Sequence, residues 1–399
     1  MRLKAIICLI ICSFLFVSCI PSREIERLGI INTRGVDKLD DHQIETTLAI
    51  FQFSGQSENI SRVLTGKGKT IKGAVKQAGA GSNFELTPEK IQLELYGRET
   101  AKQGIMPFLD TLDRDASLPD SMYLAISDTS AKNLLLTKSN KINMDSGQYL
   151  HGLIEQNSSD HLFPRVNFQD FQSSFYDIGK DPFLPLFSAK DDIPVLSGIA
   201  ILKDDKYVGK FPISDTAYFN LLRSNVKDKN IELTLPTKPF EKHIEGEENL
   251  SKRADTMYTA FNILKGSSKT KLIDKENLVF ESNIKLRLNL TEMSEEVIVY
   301  DEKVVKLLEK EVNKAVKAHY EQILDQLQEW NADPFEYGRI YRINKTEGGP
   351  LKRGEWREIY PNITVHFNVD ARVATHGAVD SRCTLLTETN NSKKLLITI

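Results

Sequence analysis

The sequence is poor in cysteine and has no excess of positive charge. Only four of its 399 residues are cysteines, and Cys8, Cys12 and Cys19 all lie near the N-terminus. Cys383 is therefore left without an intramolecular partner, so we predict no disulfide. Lysine and arginine (52) nearly balance aspartate and glutamate (55), which gives a net charge of -3. Without a basic field to attract phosphate groups, nucleic acid is not an expected partner.

The chain also lacks an apolar run long enough to span a membrane. Its most apolar stretch is residues 5–17, which follows Arg2 and Lys4. A membrane-spanning helix needs about 20 apolar residues, whereas a short positive segment followed by a shorter apolar run is typical of a secretory signal peptide. Residues 1–18 are therefore predicted to direct export.

The end of this run resembles the lipobox of bacterial lipoproteins. Phe16, Val17 and the small residue Ser18 precede Cys19. The resemblance implies that the Cys19 thiol takes a diacylglyceryl group and that cleavage makes Cys19 the first residue of the mature chain. Several acyl chains give a stable membrane anchor where a single chain holds only weakly. We therefore predict Cys19 as the lipid-attachment residue.

Strand-like and helix-like segments alternate in the first part of the mature chain. Alternation and helical spacing predict strands at 27–36, 43–53, 91–96 and 122–126, and helices at 70–80, 98–115 (bent at Pro107) and 130–138. The turn at 40–41 suggests that the first two strands form a hairpin. Residues 140–194 show no sustained hydrophobic period, and we place a domain boundary at the end of this segment.

The remainder predicts two further units. Strands at 196–202 and 207–211 flank a charged turn, and a helix at 215–223 begins at Asp215, whose side chain is expected to cap it. A long strand at 278–290, a long amphipathic helix at 301–330 and an antiparallel, half-buried strand at 363–373 follow. We therefore expect an α+β fold with largely antiparallel sheets, divided into domains at 19–194, 195–274 and 275–399.

No motif for catalysis, metal binding or a cofactor emerges from the sequence. The segment Gly66–Thr70 could end a phosphate-binding loop, but that motif requires glycine at the position of Val63. The seven histidines show no zinc-ligand spacing, and His319 and His366 are interpreted as surface residues. The acidic pairs at 40–41, 191–192 and 204–205 are interpreted as solvated turns. We expect no enzyme, no metal and no cofactor.

Several blocks together resemble the Ger(x)C family, the lipoprotein C subunits of spore nutrient germinant receptors. They are GKTIKGAV (68–75), MPFLDTLDRD (106–115), LSGIAILKDDKYVGK (196–210), NADPFEYGRIYRI (331–343) and GEWREIYPNITVHFNVDARVATHG (354–377). The resemblance implies three mixed α/β domains without catalysis. It also implies residence on the outer face of the spore inner membrane, beside integral-membrane A and B subunits.

Composition and pattern alone also fit a solute-binding lipoprotein of an uptake system. Such proteins have two similar lobes built from repeated βα units around a ligand cleft. This chain shows long alternating strands without that repetition, which favours the germination interpretation.

Overall fold

A computed structural model describes residues 27–40, 42–52, 61–115, 118–119, 121–137, 145–159, 163, 166–244, 254–345 and 349–374. The predicted signal peptide, Cys19 and Cys383 lie outside these residues.

The first sheet is mixed, and the described residues contribute nine strands to it. They are β1 (Leu28–Lys38), β2 (Ile44–Gln52), β3 (Ser61–Gly68), β4 (Glu85–Thr87), β5 (Leu93–Gly97), β6 (Tyr123–Ser127), β7 (Phe183–Lys190), β8 (Ile193–Lys203) and β9 (Lys206–Pro212). Their order is β3-β2-β1-β5-β6-β7-β8-β9, with β4 also beside β1. The central strands β1, β5, β6 and β7 are parallel, and the flanking pairs are antiparallel. The predicted hairpins β1–β2 and β8–β9 are confirmed.

Short helices pack on this sheet. They are α1 (Ile71–Gly79), α2 (Arg98–Gln103), α3 (Met106–Asp113), α4 (Ala131–Leu136), α5 (Ser146–Ser159) and α6 (Phe168–Tyr176). Thr70 caps α1 by accepting a hydrogen bond from the Gly73 amide at 3.0 Å. A Cβ atom on Gly66 would lie 2.2 Å from the Ala74 carbonyl oxygen, so this glycine lets α1 lie directly on β3.

The predicted helix at 98–115 is broken in two. Gly104 has φ = +114° and separates α2 from α3. The amide of Ile105 donates to the Asp205 carbonyl at 3.1 Å, and that of Met106 donates to the Asp205 carboxylate at 3.0 Å. Pro107 lies in the first turn of α3, where a proline is tolerated, so it does not cause the break.

The second sheet contains β10 (Lys229–Pro236), β11 (Thr256–Asp274), β12 (Val279–Met293) and β13 (Thr364–Ala374), in that order. The pairs β10–β11 and β11–β12 are antiparallel. Strand β13 runs parallel to β12, so the prediction of an antiparallel last strand was wrong. The α+β class is confirmed. Both sheets are mixed, and most of their paired residues are antiparallel, as predicted.

Helix α7 (Thr216–Arg223) and the long helix α8 (Glu302–Trp330) cover the inner face of the second sheet, and α9 (Tyr337–Asn344) and α10 (Arg353–Ile359) follow. The predicted long helix is confirmed, and its buried apolar residues are Val304, Leu308, Val312, Val316, Tyr320, Ile323, Leu324 and Leu327. Tyr320 stacks on Phe367 of β13 with ring centroids 5.2 Å apart. Asn313 and Glu309 accept hydrogen bonds from backbone amides of β13 at 2.8 and 3.0 Å, which covers this sheet edge.

Both predicted domain boundaries fall within a sheet. Residues 194 and 195 both lie within β8, and residues 274 and 275 lie at the turn between β11 and β12. The division into three domains stays a prediction. No helix of the described ranges has both the length and the apolar composition of a membrane-spanning segment.

Candidate functional site

A polar site of the described residues is a cluster of carboxylates and arginines where the first sheet meets the segments that follow α8. It comprises Asp181, Asp204, Asp333, Arg353 and Arg357, which we call the Asp–Arg cluster. Asp181 lies just before β7 and Asp204 in the turn between β8 and β9, whereas the other three residues follow α8. The cluster therefore connects the first sheet to the helices that follow the long helix.

Asp181 accepts hydrogen bonds from both parts of the molecule. Its side chain is 1% exposed, and both terminal nitrogens of Arg357 donate to it at 2.6 and 2.5 Å. The amide of Asp333 donates to the same carboxylate at 2.7 Å, and the amide of Asp204 at 2.9 Å. In return, the Asp181 amide donates to the Asp333 carbonyl at 2.9 Å. Four donors thus compensate the buried charge.

Asp204 shares the arginines. Arg353 donates to it at 2.7 Å and Arg357 at 2.9 Å. Burial alone would raise the pKa of Asp204, but the hydrogen bonds and charges of Arg353 and Arg357 outweigh it and lower that pKa. Burial alone would likewise lower the pKa of Arg357, but Asp181 and Asp204 raise it. Both ion-pair partners therefore stay charged.

Asp333 is fully buried and receives three further donors. The amides of Gly338 and Tyr337 donate to its carboxylate at 2.8 and 3.2 Å, and Trp356 Nε1 donates at 3.2 Å. Burial and the nearby charge of Asp181 raise the pKa of Asp333 to about 7, against the opposing effect of these backbone hydrogen bonds. Its carboxyl group therefore changes charge near neutral pH.

Two glycines allow the chain segments to cross at this point. A Cβ on Gly338 would lie 2.4 Å from the Cα of Gly179, and Gly179 has φ = +93°. Arg339 donates from its amide to the Gly179 carbonyl at 3.0 Å. Asn331 ends α8 in the left-handed region at φ = 52°, and its side chain donates to the Arg357 carbonyl at 2.8 Å. Close backbone contact thus accompanies the ion pairs.

A second group of charges borders the cluster. Glu336 pairs with Lys180 at 3.1 Å, Arg339 at 3.1 Å and Arg223 at 3.4 Å. The guanidinium of Arg223 also lies 4.7 Å from the centre of the Phe183 ring. Burial alone would raise the pKa of Glu336, but these cations lower it. The contacts extend the same connection between the two halves of the chain.

This arrangement is suited to holding two parts of a protein together. Its carboxylates are saturated with donors, and no nucleophile is in hydrogen-bond contact with them among the described residues. The same residues contain no group of three or more His, Cys, Asp or Glu side chains placed to hold a metal ion. Removing one partner of such a buried ion pair costs about 3–5 kcal/mol, because the other charge is left uncompensated.

The sequence motifs located part of this cluster. Asp333 and Arg357 lie in the two C-terminal blocks and Asp204 in the block at 196–210, whereas Asp181 and Arg353 lie outside all of the blocks. The acidic pair at 191–192 is exposed as predicted, and Asp40 is too, whereas Asp41 lies outside the described residues. The prediction was wrong for 204–205, because Asp204 accepts from two arginines and Asp205 from the start of α3.

Three other sequence expectations are settled by local contacts. The Asp215 side chain makes no capping hydrogen bond to α7 and instead lies 3.1 Å from His319 Nε2. His319 is accordingly half-buried beside Tyr218 rather than free on the surface, whereas His366 is exposed. Gly66 and Gly68 belong to the end of β3 and contact α1. Their role is close helix packing.

Comparison with known proteins identifies the family. Residues 21–189 match a family described as spore germination protein N-terminal domain, and residues 197–377 match the spore germination B3/GerAC-like C-terminal family. The chain belongs to the Ger(x)C family of spore germination proteins. Asp181 lies in the first match and Asp333 and Arg357 in the second, so the Asp–Arg cluster joins the two family regions.

Relatives and a solved structure agree with this assignment. Spore germination protein GerQC of Bacillus cereus is 23% identical over 379 residues, covering 95% of this chain and 100% of the relative. Putative spore germination protein YfkR of Bacillus subtilis (strain 168) is 20% identical over 390 residues, covering 91% and 94%. The crystal structure of the GerBC protein has 17% identity and a TM-score of 0.51, covering 88% of this chain and all of the other, and shows the same fold.

Family membership settles the broad role. The chain acts in spore germination, and proteins of this family are non-catalytic, so it is not an enzyme. The alternative of a solute-binding lipoprotein of an uptake system has no support from these relatives.

Proposed function

We propose that this protein is a lipid-anchored, non-catalytic subunit of a spore nutrient germinant receptor that works by assembling with integral-membrane A and B subunits. The observation that carries the proposal is the match to both Ger(x)C regions directly after a lipobox-like sequence ending at Cys19. The expected location is the outer face of the spore inner membrane.

The chain length supports a short tether. Strand β1 begins at Leu28, nine residues after Cys19. Because an extended chain spans at most about 3.3–3.6 Å per residue, a lipid on Cys19 would keep the start of β1 within about 30 Å of the membrane surface. The folded part would then stay within reach of integral-membrane partners.

Tethering raises the effective concentration of one protein toward another in the same membrane, so a weak interface can be well occupied. The Asp–Arg cluster supports this role, because buried ion pairs across the two family regions let them present one continuous surface. Contact with the nutrient is not required of this subunit.

The anchor is tested by substituting its cysteine. Cys19→Ala should release the protein from the membrane fraction of a host that lacks the partner subunits and abolish incorporation of radiolabelled fatty acid. Cys383→Ala is the matched control, because it removes the other cysteine of the mature chain and should change neither result. Failure of the wild type to incorporate label, or membrane retention of Cys19→Ala, would contradict the anchor.

A further inference from the structure

A small pocket lies over the first sheet, between α1 and the segment that follows α3. Its volume is about 350 Å³. Apolar side chains form most of its walls, namely Val75, Phe84, Leu86, Pro88 and Leu118. Pockets of this size and composition are typical of small-molecule sites, where a few polar groups fix the orientation of the ligand.

Arg34 is the charged residue lining this pocket from the sheet. It is 5% exposed, and its Nε donates to Glu94 at 2.8 and 3.1 Å. The Nη2 atom is buried but has no hydrogen-bond acceptor among the described residues. Leaving a donor of a buried guanidinium unpaired is costly, so the site favours a ligand that supplies an acceptor.

The surrounding charges favour an anion. Lys72 and Lys76 of α1 line the pocket, and Lys72 pairs at 3.0 Å with Asp115, which also lines it. Three cations, Arg34, Lys72 and Lys76, line the pocket. Two carboxylates oppose them, Asp115 in the lining and Glu94 in its ion pair with Arg34, so one positive charge is in excess.

We infer that this pocket binds a small monocarboxylate with an apolar body. The carboxylate would accept from the Arg34 guanidinium, which meets Glu94 through Nε and whose planar array of donors matches a carboxylate. The apolar body would lie against Val75, Phe84 and Leu86. A phosphate fits less well, because its additional charge would be desolvated by the apolar walls. This inference goes beyond the proposed function, since assembly with membrane subunits does not need the pocket.

The probe for this site is 4-fluorobenzoate, titrated into the full-length protein in detergent and followed by ¹⁹F NMR. We expect saturable binding that weakens at least tenfold for the uncharged 4-fluorobenzamide. Val75→Trp should weaken binding of 4-fluorobenzoate by a similar factor, because it fills the pocket and leaves the Arg34–Glu94 pair intact. Val305→Trp, on the distant helix α8, is the matched control and should bind as the wild type does.

Arg34→Lys supplies a second variant that keeps the charge and removes the planar fork, so it should also weaken binding. Absence of saturable binding to the wild type at about 10 mM probe, which corresponds to less than about 3 kcal/mol of affinity, would overturn the inference. Equal affinity for benzoate and benzamide probes would overturn it as well, and this comparison needs no variant to fold. None of these outcomes bears on the lipid anchor, which the fatty-acid experiment tests separately.

Discussion

The crossing of two glycines beside Asp333 shows how single residues determine the contact between the halves of the chain. Gly338→Ala would place a Cβ 2.4 Å from the Gly179 Cα and 2.5 Å from the Trp356 ring. Because neither neighbour is a flexible chain end, we expect a loss of about 1–3 kcal/mol in the free energy of unfolding. Gly354→Ala is the control, because its Cβ would meet nothing within 4 Å and alanine favours a helix by up to about 1 kcal/mol. Denaturant unfolding measures both, and equal stabilities would contradict the close crossing.

Asp333 should make stability depend on pH. Its pKa is raised from 3.8 to about 7, so the folded state binds a proton more tightly than the unfolded state does. The resulting stabilisation is fully present below pH 3.8 and is lost as the pH rises through about 7, up to about 4 kcal/mol in total. Asp333→Asn cannot ionise, so its stability should fall less between pH 5 and pH 8. Parallel stability profiles for variant and wild type over this range would contradict the assignment.

At the scale of elements, the long helix α8 should support the second sheet through one face. Leu308 is fully buried and Lys310 is exposed. Leu308→Asp would bury a charge without a partner and should destabilise the protein by several kcal/mol, about 3–5. Lys310→Asp, two residues away on the solvent-exposed face of α8, should change stability by only about 0.5 kcal/mol. Thermal melting distinguishes these outcomes, and equal melting temperatures would rule out the proposed packing face.

Helices and strands with a sustained hydrophobic period could be predicted from the sequence. The direction of a strand in its sheet and the position of a break in a helix could not. The alternation at 363–373 correctly indicated a half-buried strand, but side chains alternate in strands of either direction. The parallel direction of β13 follows from the return of the chain along α8 to the start of β12. The break between α2 and α3 depends on Asp205, about 100 residues away in sequence. The region 140–194 lacked a sustained period, although the capping box of Asn167 and Asp170 marks the start of α6.

Residues of the candidate site could be predicted from the sequence only where they lie in the blocks that resemble the family. Asp333 and Trp356 lie in the two C-terminal blocks, so their importance could be inferred without a contact. Asp181 meets Arg357 across 176 residues of sequence, and no local pattern reports such a pairing. A charged turn at 204–205 looks solvated in sequence because its arginine partners come from a distant helix. Burial of charge is a tertiary property, and a single sequence does not display it.

At the scale of the whole molecule, the body and the anchor have separable contributions. The Asp–Arg cluster holds the regions 21–189 and 197–377 in contact, whereas the proposed lipid only confines them to the membrane. A chain that begins after Cys19 keeps every contact surface of the body. We therefore expect any loss of function of this chain to result from its lower local concentration at the membrane.

This separation gives a test in spores. In a sporulating strain that lacks the wild-type protein, the exported body without Cys19 should support little nutrient germination and leave the integral-membrane subunits less stable. Replacing the lipid with an unrelated single membrane-spanning helix ahead of the same body should restore both, because it restores confinement to the membrane without restoring the acyl chains. Germination rate and the amount of the integral subunits are the measurements. Full activity of the untethered body at the wild-type level would contradict tethered assembly. Failure of the membrane-spanning replacement, with the body folded and present, would instead show that the acyl chains themselves make a required contact.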